Sequence, residues 1–309
     1  MFRLALSLML IADIASASEV SLTVDPEPGD VEPVRWQLEQ IVREPGDEGG
    51  GGIRKQAFSI LGREDLIVNE ARSYAARSCP RASAAGDALA VLVAAARRHR
   101  VVIINEAHDW SAHRAFIADL ARALAKEGFT YYAANAFTFG SGREAALPWL
   151  RDDEGSYTRE ASFGRLVRDV LALGYEPVAY DWRAPADPAE REAWLALTPF
   201  ERIPAREEGQ ANNLIERIFE RNKEARVLIH AGHSHAREVP QTSKDSKRSI
   251  TWMAARLKQK TGIDPLTIDQ TFCRGSSGKI RLAAEPEHPQ LPPGSFDLYV
   301  DHPLPEFEH

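Results

Sequence analysis

The sequence predicts an α/β protein, with helices on both faces of a mainly parallel sheet in three layers, α/β/α. Three observations carry this reading. From residue 88 onward, short β-branched or aromatic runs alternate with stretches of helical periodicity. The run Val101-Val102-Ile103-Ile104 is apolar without alternation, as expected of a strand covered on both sides. Several helical stretches stop at a glycine, namely Gly128, Gly174 and Gly262, which suits the left-handed position after a helix end.

The elements follow in order. Helical spacing spans 53–78, with Phe58, Leu61, Leu66, Ala71 and Tyr74 recurring, and a helix rich in Ala and Leu covers 88–99. The first strand, 101–104, leads to a helix over 111–127 with Ser111 as its expected N-cap. A second strand is expected over 130–136, a helix over 163–173 and a third strand over 176–181. An amphipathic helix is expected over 207–222, with Leu214, Ile218 and Phe219 inward, followed by a fourth strand over 226–231. A helix over 250–261 and a last strand within 263–271 complete the pattern. Residues 53–282 are therefore expected to form a single domain.

The flanks differ in composition. Residues 1–17 have Arg3, then a mostly apolar run from Leu4 to Ile14, then Ala15-Ser16-Ala17. That order is the one a signal peptide needs, and it predicts a periplasmic or secreted protein. The alternative is a buried N-terminal helix. The run is too short for a transmembrane helix, which needs about 20 residues, and no other stretch of the mature chain is long and apolar enough. Residues 18–52 form a lead-in, with Pro26, Pro28, Pro33, Pro45 and the run from Gly49 to Gly52; a short helix is expected over 33–42. Residues 283–309 carry six prolines and are expected to be an extended surface tail.

Composition also bounds function. The formal net charge is -7, and no basic run stands out, so nucleic acid is not an expected partner. A small-molecule or peptide ligand is. The two cysteines, Cys79 and Cys273, leave two readings: a disulfide in an oxidising compartment, or two thiols. A bridge closing so long a loop would contribute about 5 kcal/mol in the simplest chain-entropy picture.

Five of the nine histidines fall in two short clusters, His108 with His113, and His230 with His233 and His235. In a parallel sheet, ligands bind at the carboxyl ends of the strands. Asn105-Glu106-Ala107-His108 follows the first strand, and His230-Ala231-Gly232-His233-Ser234-His235 ends the fourth. Glu106 can orient an imidazole, and His108 or His235 can accept a proton from water. His230, inside the strand, is expected to be structural. Asp181 follows the third strand, and Arg206-Glu207 stands at the expected start of a helix, where Arg206 can face developing negative charge. Asn135, Asp181, Glu207 and His233 are the expected ligand-binding residues, with Phe137 and Tyr157 as further lining. The bland alternatives are helix-capping carboxylates and surface histidines. No GxSxG elbow, HExxH or Walker A loop is present.

These residues resemble the superfamily joining erythromycin esterases, ChaN haem-binding lipoproteins and TIKI/TraB proteins. Members carry Gly-Glu-x-His after the first strand, an acidic residue after the second, an Arg-Glu/Asp helix start and a later Gly-x-x-His. Glu106 and His108, Arg206 and Glu207, and Gly232 and His235 match in that order, over roughly 88–272. Asn105 replaces the glycine, and Asn135 stands where an acidic residue is often found, removing a candidate ligand or base. The resemblance implies an EreA/ChaN-like fold and leaves the activity open. Three readings fit: a hydrolase, metal-assisted through Glu106, His108 and His235 or metal-free; a haem-binding uptake protein; and a non-catalytic binding remnant. The implied cofactor is accordingly a divalent metal, haem or none.

Overall fold

The computed structural model describes residues 51–66, 87–137, 160–182, 185, 187–242, 249–271, 281–284 and 291–302. The expected signal peptide, the helix over 33–42, Cys79, Cys273 and Tyr157 lie outside the described residues.

The predicted three-layer architecture is present. A helix, α1 (Gly51–Ile60), and a 3-10 turn, Glu64–Leu66, precede α2 (Ala88–Ala96) and the first strand, β1 (Val101–Glu106). Then come α3 (Ser111–Ala125), β2 (Tyr131–Ala134), α4 (Ala161–Ala172) and β3 (Glu176–Ala179). α5 (Pro188–Leu195) and α6 (Pro199–Leu214) lead to β4 (Val227–Gly232), α6 running on through a π-helical turn, Ile215–Phe219. A 3-10 turn, His233–Ala236, and a two-stranded ribbon, β5 (Gln241–Thr242) with β6 (Ser249–Ile250), come next. α7 (Met253–Thr261), β7 (Leu266–Asp269), β8 (Arg281–Ala284) and β9 (Leu298–Asp301) close the series.

The main sheet has the order β3-β2-β4-β1-β7-β9-β8, parallel throughout except for β8 at its edge. All six residues of β1 are buried. Alternate side chains divide between two cores, as a strand's period of two requires. Val102 and Ile104 pack with residues of α2, α3 and α4, among them Leu92, Leu120 and Leu166. Val101 and Ile103 pack on the other face with α6 and α7, through Leu214, Met253 and Leu257. Burying each such aliphatic side chain contributes about 1.5–3 kcal/mol before entropy is set against it.

Helix ends follow the predicted glycine chemistry. Gly128 has φ 81°, with the Phe129 N–H donating to the Leu124 carbonyl; Gly174 has φ 84°, with Tyr175 donating to Val170. Helix starts differ more. Ser111 is the first residue of α3 rather than its cap, and Glu64 serves as the cap from outside, accepting from the Ser111 backbone N–H at 2.7 Å and its hydroxyl at 2.9 Å. The helix expected from 207 begins at Pro199. Thr198 and Glu201 form a capping box there, and the helix absorbs Pro204 in its second turn. Arg206 and Glu207 thus lie inside α6, not at its start.

The expected C-terminal tail is also corrected in part. Leu298–Asp301 is β9, inserted between β7 and β8, and His302 beyond it is buried. Among the described residues no helix is long and apolar enough to cross a membrane.

Candidate functional site

The sheet itself selects the site. β1 is followed by α3, on one face, while β4 leads to α7, on the other. Adjacent strands whose chains depart to opposite faces leave a crevice between their carboxyl ends, where ligands bind in open α/β sheets. β1 and β4 are paired in register, and their last partners are Glu106 and Gly232. The two histidine motifs therefore meet at this crevice.

Glu106 is buried and its carboxylate has three partners. Oε1 accepts from His108 Nδ1 at 2.9 Å and from Arg114 Nη2 at 3.2 Å. Oε2 lies 2.8 Å from Arg114 Nε and 3.0 Å from His230 Nε2. Burial pushes the Glu106 carboxyl up, but the Arg114 guanidinium, His230 and the bond from His108 together hold it well below the usual carboxylate range. Glu106 is thus an anion fixed in place. With its Nδ1 proton directed at that anion, His108 carries its lone pair on Nε2.

The imidazole of His108 lies directly over Gly232. A Cβ at that position would stand 2.8 Å from His108 Cε1 and 2.9 Å from Nε2, pushing the ring off Glu106. Only glycine fits there. The Asn135 amide is near as well, with Nδ2 3.7 Å from that virtual Cβ. The His233 ring meets His108 edge-on, centroids 5.4 Å apart.

A second network lies on the α6 side. His235 Nδ1 is 2.6 Å from Glu207 Oε1, and Glu207 Oε2 accepts the Met253 backbone N–H at 2.7 Å. Arg206 grips Asp181 with two bonds, Nε to Oδ1 at 2.9 Å and Nη2 to Oδ2 at 2.6 Å, and Gln210 Nε2 adds a third at 2.7 Å. The third guanidinium nitrogen, Nη1, donates to His235 Nε2 at 3.2 Å. Burial raises the Asp181 carboxyl, and Arg206 outweighs it, leaving the group below its usual range. Gly209 lets Trp182 lie on α6, since a Cβ would fall 1.9 Å from the indole Cδ1.

The expected residues therefore form two groups, Glu106, His108, Asn135 and His233 around β1 and Gly232, and Asp181, Arg206, Glu207 and His235 beside α6. The expected metal set does not assemble. Among the described residues no group of three or more His, Cys, Asp or Glu side chains is placed to hold a metal ion. Both oxygens of Glu106 face Arg114 and histidines, and the ring nitrogens of His235 face Glu207 and Arg206. His230, expected to be structural, is buried at the edge of the same network. Its Nδ1 takes the Tyr132 hydroxyl at 2.7 Å, its ring stacks on Phe163, and its Nε2 faces Glu106.

Sequence reasoning missed Arg114, which is fully buried between Glu106 and Glu160, with Nη1 3.0 Å from Glu160 Oε2. A signal was present: Arg114 stands on the apolar stripe of α3 with Ile117, Ala118 and Ala121, all buried. A charge on a core-facing stripe needs a buried partner. Tyr132 and Glu160 carried no comparable signal.

The buried groups set an expected acid response. The carboxyls of Glu106 and Asp181 titrate lower in the folded chain than in the unfolded one. Burial also lowers His302, to about 4 from 6.5. In each case the unfolded state binds more protons in the window between the two values, so stability rises with pH there. Denaturant midpoints should fall from about pH 6.5 towards 4 as the His302 contribution is lost, then further below the ordinary carboxylate range. A midpoint constant from about pH 7 to pH 3 would contradict these shifts.

No family model matches the chain, and no characterised protein matches it by sequence. Solved structures match as folds. The type III effector HopBA1 is 14% identical with a TM-score of 0.46, covering 75% of this chain and 99% of that one. RRSP, a MARTX toxin effector domain from Vibrio vulnificus, is 14% identical with a TM-score of 0.41, covering 75% of this chain and 45% of that one. ChaN of Campylobacter jejuni, a haem-bound structure, is 10% identical with a TM-score of 0.39, covering 69% and 91%. The similarity to ChaN is distant and one of fold only.

Proposed function

We propose that the chain is an exported hydrolase of a small-molecule or peptide ligand, with His108 as the general base. One observation carries this reading: an imidazole whose Nδ1 is held at 2.9 Å by a buried, ionised carboxylate, at the crevice between β1 and β4. Glu106 orients the ring and stabilises the imidazolium formed when Nε2 takes a proton from water. His235 is the poorer base, because Arg206 donates to its Nε2. Arg206, already paired with Asp181, supports His235 and the substrate side of the crevice. Asn135 and His233 flank the base as ligand contacts. Export rests on the order of charged, apolar and small residues in 1–17.

The test is hydrolysis of a panel of lactones, aryl esters and peptides by the intact chain and by His108→Ala. Turnover that is equal in both proteins rejects the base. Absorbance and metal content of protein from cells fed iron and haem test the other chemistries: a Soret band moves the reading to haem, and stoichiometric zinc or manganese to a metallohydrolase.

His230→Ala is expected to lower both stability and activity. The buried Tyr132 hydroxyl loses its acceptor and Phe163 its stacking partner, a change on the order of 2–4 kcal/mol. Glu106 also loses one of the groups that fix it, so turnover should fall roughly 10-fold, as for partners that orient an acting residue elsewhere. Thermal melts and rates on one substrate decide it; unchanged turnover would return His230 to a purely structural role.

A further inference from the structure

Among the described residues one non-glycine residue has a positive φ, His233, at 30°. L-residues rarely adopt this region, and one that does must be held there by its surroundings. The holder is visible. Asn105, fully buried at the end of β1, donates from Nδ2 to the His233 carbonyl at 2.8 Å. Its amide cannot turn over. The other Nδ2 hydrogen goes to Asp269 Oδ1 at 2.5 Å, and Oδ1 accepts the Gln270 backbone N–H at 2.9 Å. A flipped amide would set Oδ1 against a carboxylate and a carbonyl at once. Gln270 Nε2 ties the Asn105 carbonyl as well, at 2.6 Å.

The consequence lies on the other side of the turn. In this conformation the His233 imidazole meets the ring of His108 at an interplanar angle of 87°. Around His108 stand Glu106 at Nδ1, the bare Cα of Gly232 against Nε2 and Cε1, and the His233 ring, nearly perpendicular to it. We propose that Asn105 is a positioning residue. It clamps His233 in the left-handed conformation that places its imidazole against His108 and so defines the approach to His108 Nε2. This deepens the hydrolase reading and rests on it for its catalytic meaning, though not for its structural content.

The experiment is a stability comparison on the full chain that needs no substrate. His233→Gly is set against His233→Ala, first in the parent and then together with Asn105→Ala. At positive φ glycine is favoured over alanine. The glycine variant is therefore expected to melt about 2–4 °C above the alanine variant in the parent. Without the Asn105 amide, residue 233 is released to ordinary φ, where alanine is the better residue, and the gap should vanish or reverse. Should Asn105→Ala not fold, Asn105→Ser replaces it, since its hydroxyl is too short to reach the His233 carbonyl. A parent gap of zero, or one of equal size with and without Asn105, overturns the proposal.

The positioning of His108 is read separately, from its side-chain nitrogen resonances by NMR. Loss of Asn105 is expected to shift them, and unchanged resonances overturn the link from clamp to base. Both readouts stand whether or not any ester of the panel is cleaved. A chain that shows the gap and the shifts yet hydrolyses nothing rejects the hydrolase reading and keeps the clamp; a hydrolase without the gap does the opposite.

Discussion

Replacing His108 with alanine is expected to lower hydrolysis by ~10²–10⁴-fold, the usual worth of a general base, while moving the melting temperature by no more than a few degrees. Two features separate the effects. The proton acceptor is lost outright, because the lone pair on Nε2 goes with the ring. The buried carboxylate, by contrast, is not abandoned. Arg114 still faces both of its oxygens, through Nη2 at 3.2 Å and Nε at 2.8 Å. The side chain deleted sits at a strand end, outside the two aliphatic cores. Rates and melts measured on the same preparation give the answer. Stability lost in proportion to activity would mark His108 as structural and leave the crevice without a base.

Arg114→Ala is expected to be the most damaging single change for folding. Arg114 has no exposed surface, and it neutralises Glu106 and Glu160 together while donating to the His108 carbonyl at 2.8 Å. Removing one partner of a buried pair leaves a charge without water or counter-ion, at a cost of about 3–5 kcal/mol. For a domain of this size that is on the order of 10 °C in melting temperature. The sign of the pH response should change too. In the parent, burial's upward push on Glu106 is outweighed by Arg114 and the histidines, so stability grows as pH rises through the acid range. Without the guanidinium, the upward push loses its strongest opponent. A folded value raised above the unfolded one gives stability that is present at low pH and lost as pH rises through the folded value. The variant should therefore be relatively better folded near pH 4.5 than at pH 7. Denaturation at both pH values tests this, and a variant penalised equally at both would show that Glu106 is not the group left exposed to burial.

Much of this architecture is legible in the residues. The β-branched run at Val101 and the glycine stops at Gly128 and Gly174 announce strands and helix ends, since each rests on local chemistry that tertiary context only confirms. The clustering of His108 and His233 at strand ends likewise survives, because strand ends on one side of a parallel sheet are neighbours by construction. What fails is what depends on partners distant in sequence. β9 is hidden because Leu298-Tyr299-Val300 is a short apolar segment inside proline-rich surroundings, and its partner β7 lies some thirty residues earlier. The start of α6 is masked by Pro204, although Thr198 and Glu201 spell its capping box plainly. Asn105 reads as a departure from a glycine pattern; only the fold shows that its amide spans to Asp269 and to the His233 carbonyl. The positive φ at His233 has only a weak local signal, since histidine is enriched at such positions but glycine announces them far more strongly.

The insertion of β9 has a bearing on how the chain is made. A ribosome releases residues in order, and domains begin to fold from the end that emerges first. β2 and β3 can pair as soon as both have emerged, but β1 waits for β4, as Val101 pairs with Val227. The right-hand half waits longer still. Until Leu298–Asp301 is free, the outer edge of β7 is open and β8 lacks the only sheet partner it has among the described residues. His302, which packs beside Phe116 and bonds Gln270 at 2.8 Å, arrives with that same strand. Between the emergence of β7 and that of β9 the nascent protein thus carries an unpaired strand edge, the kind of surface that invites pairing with other chains.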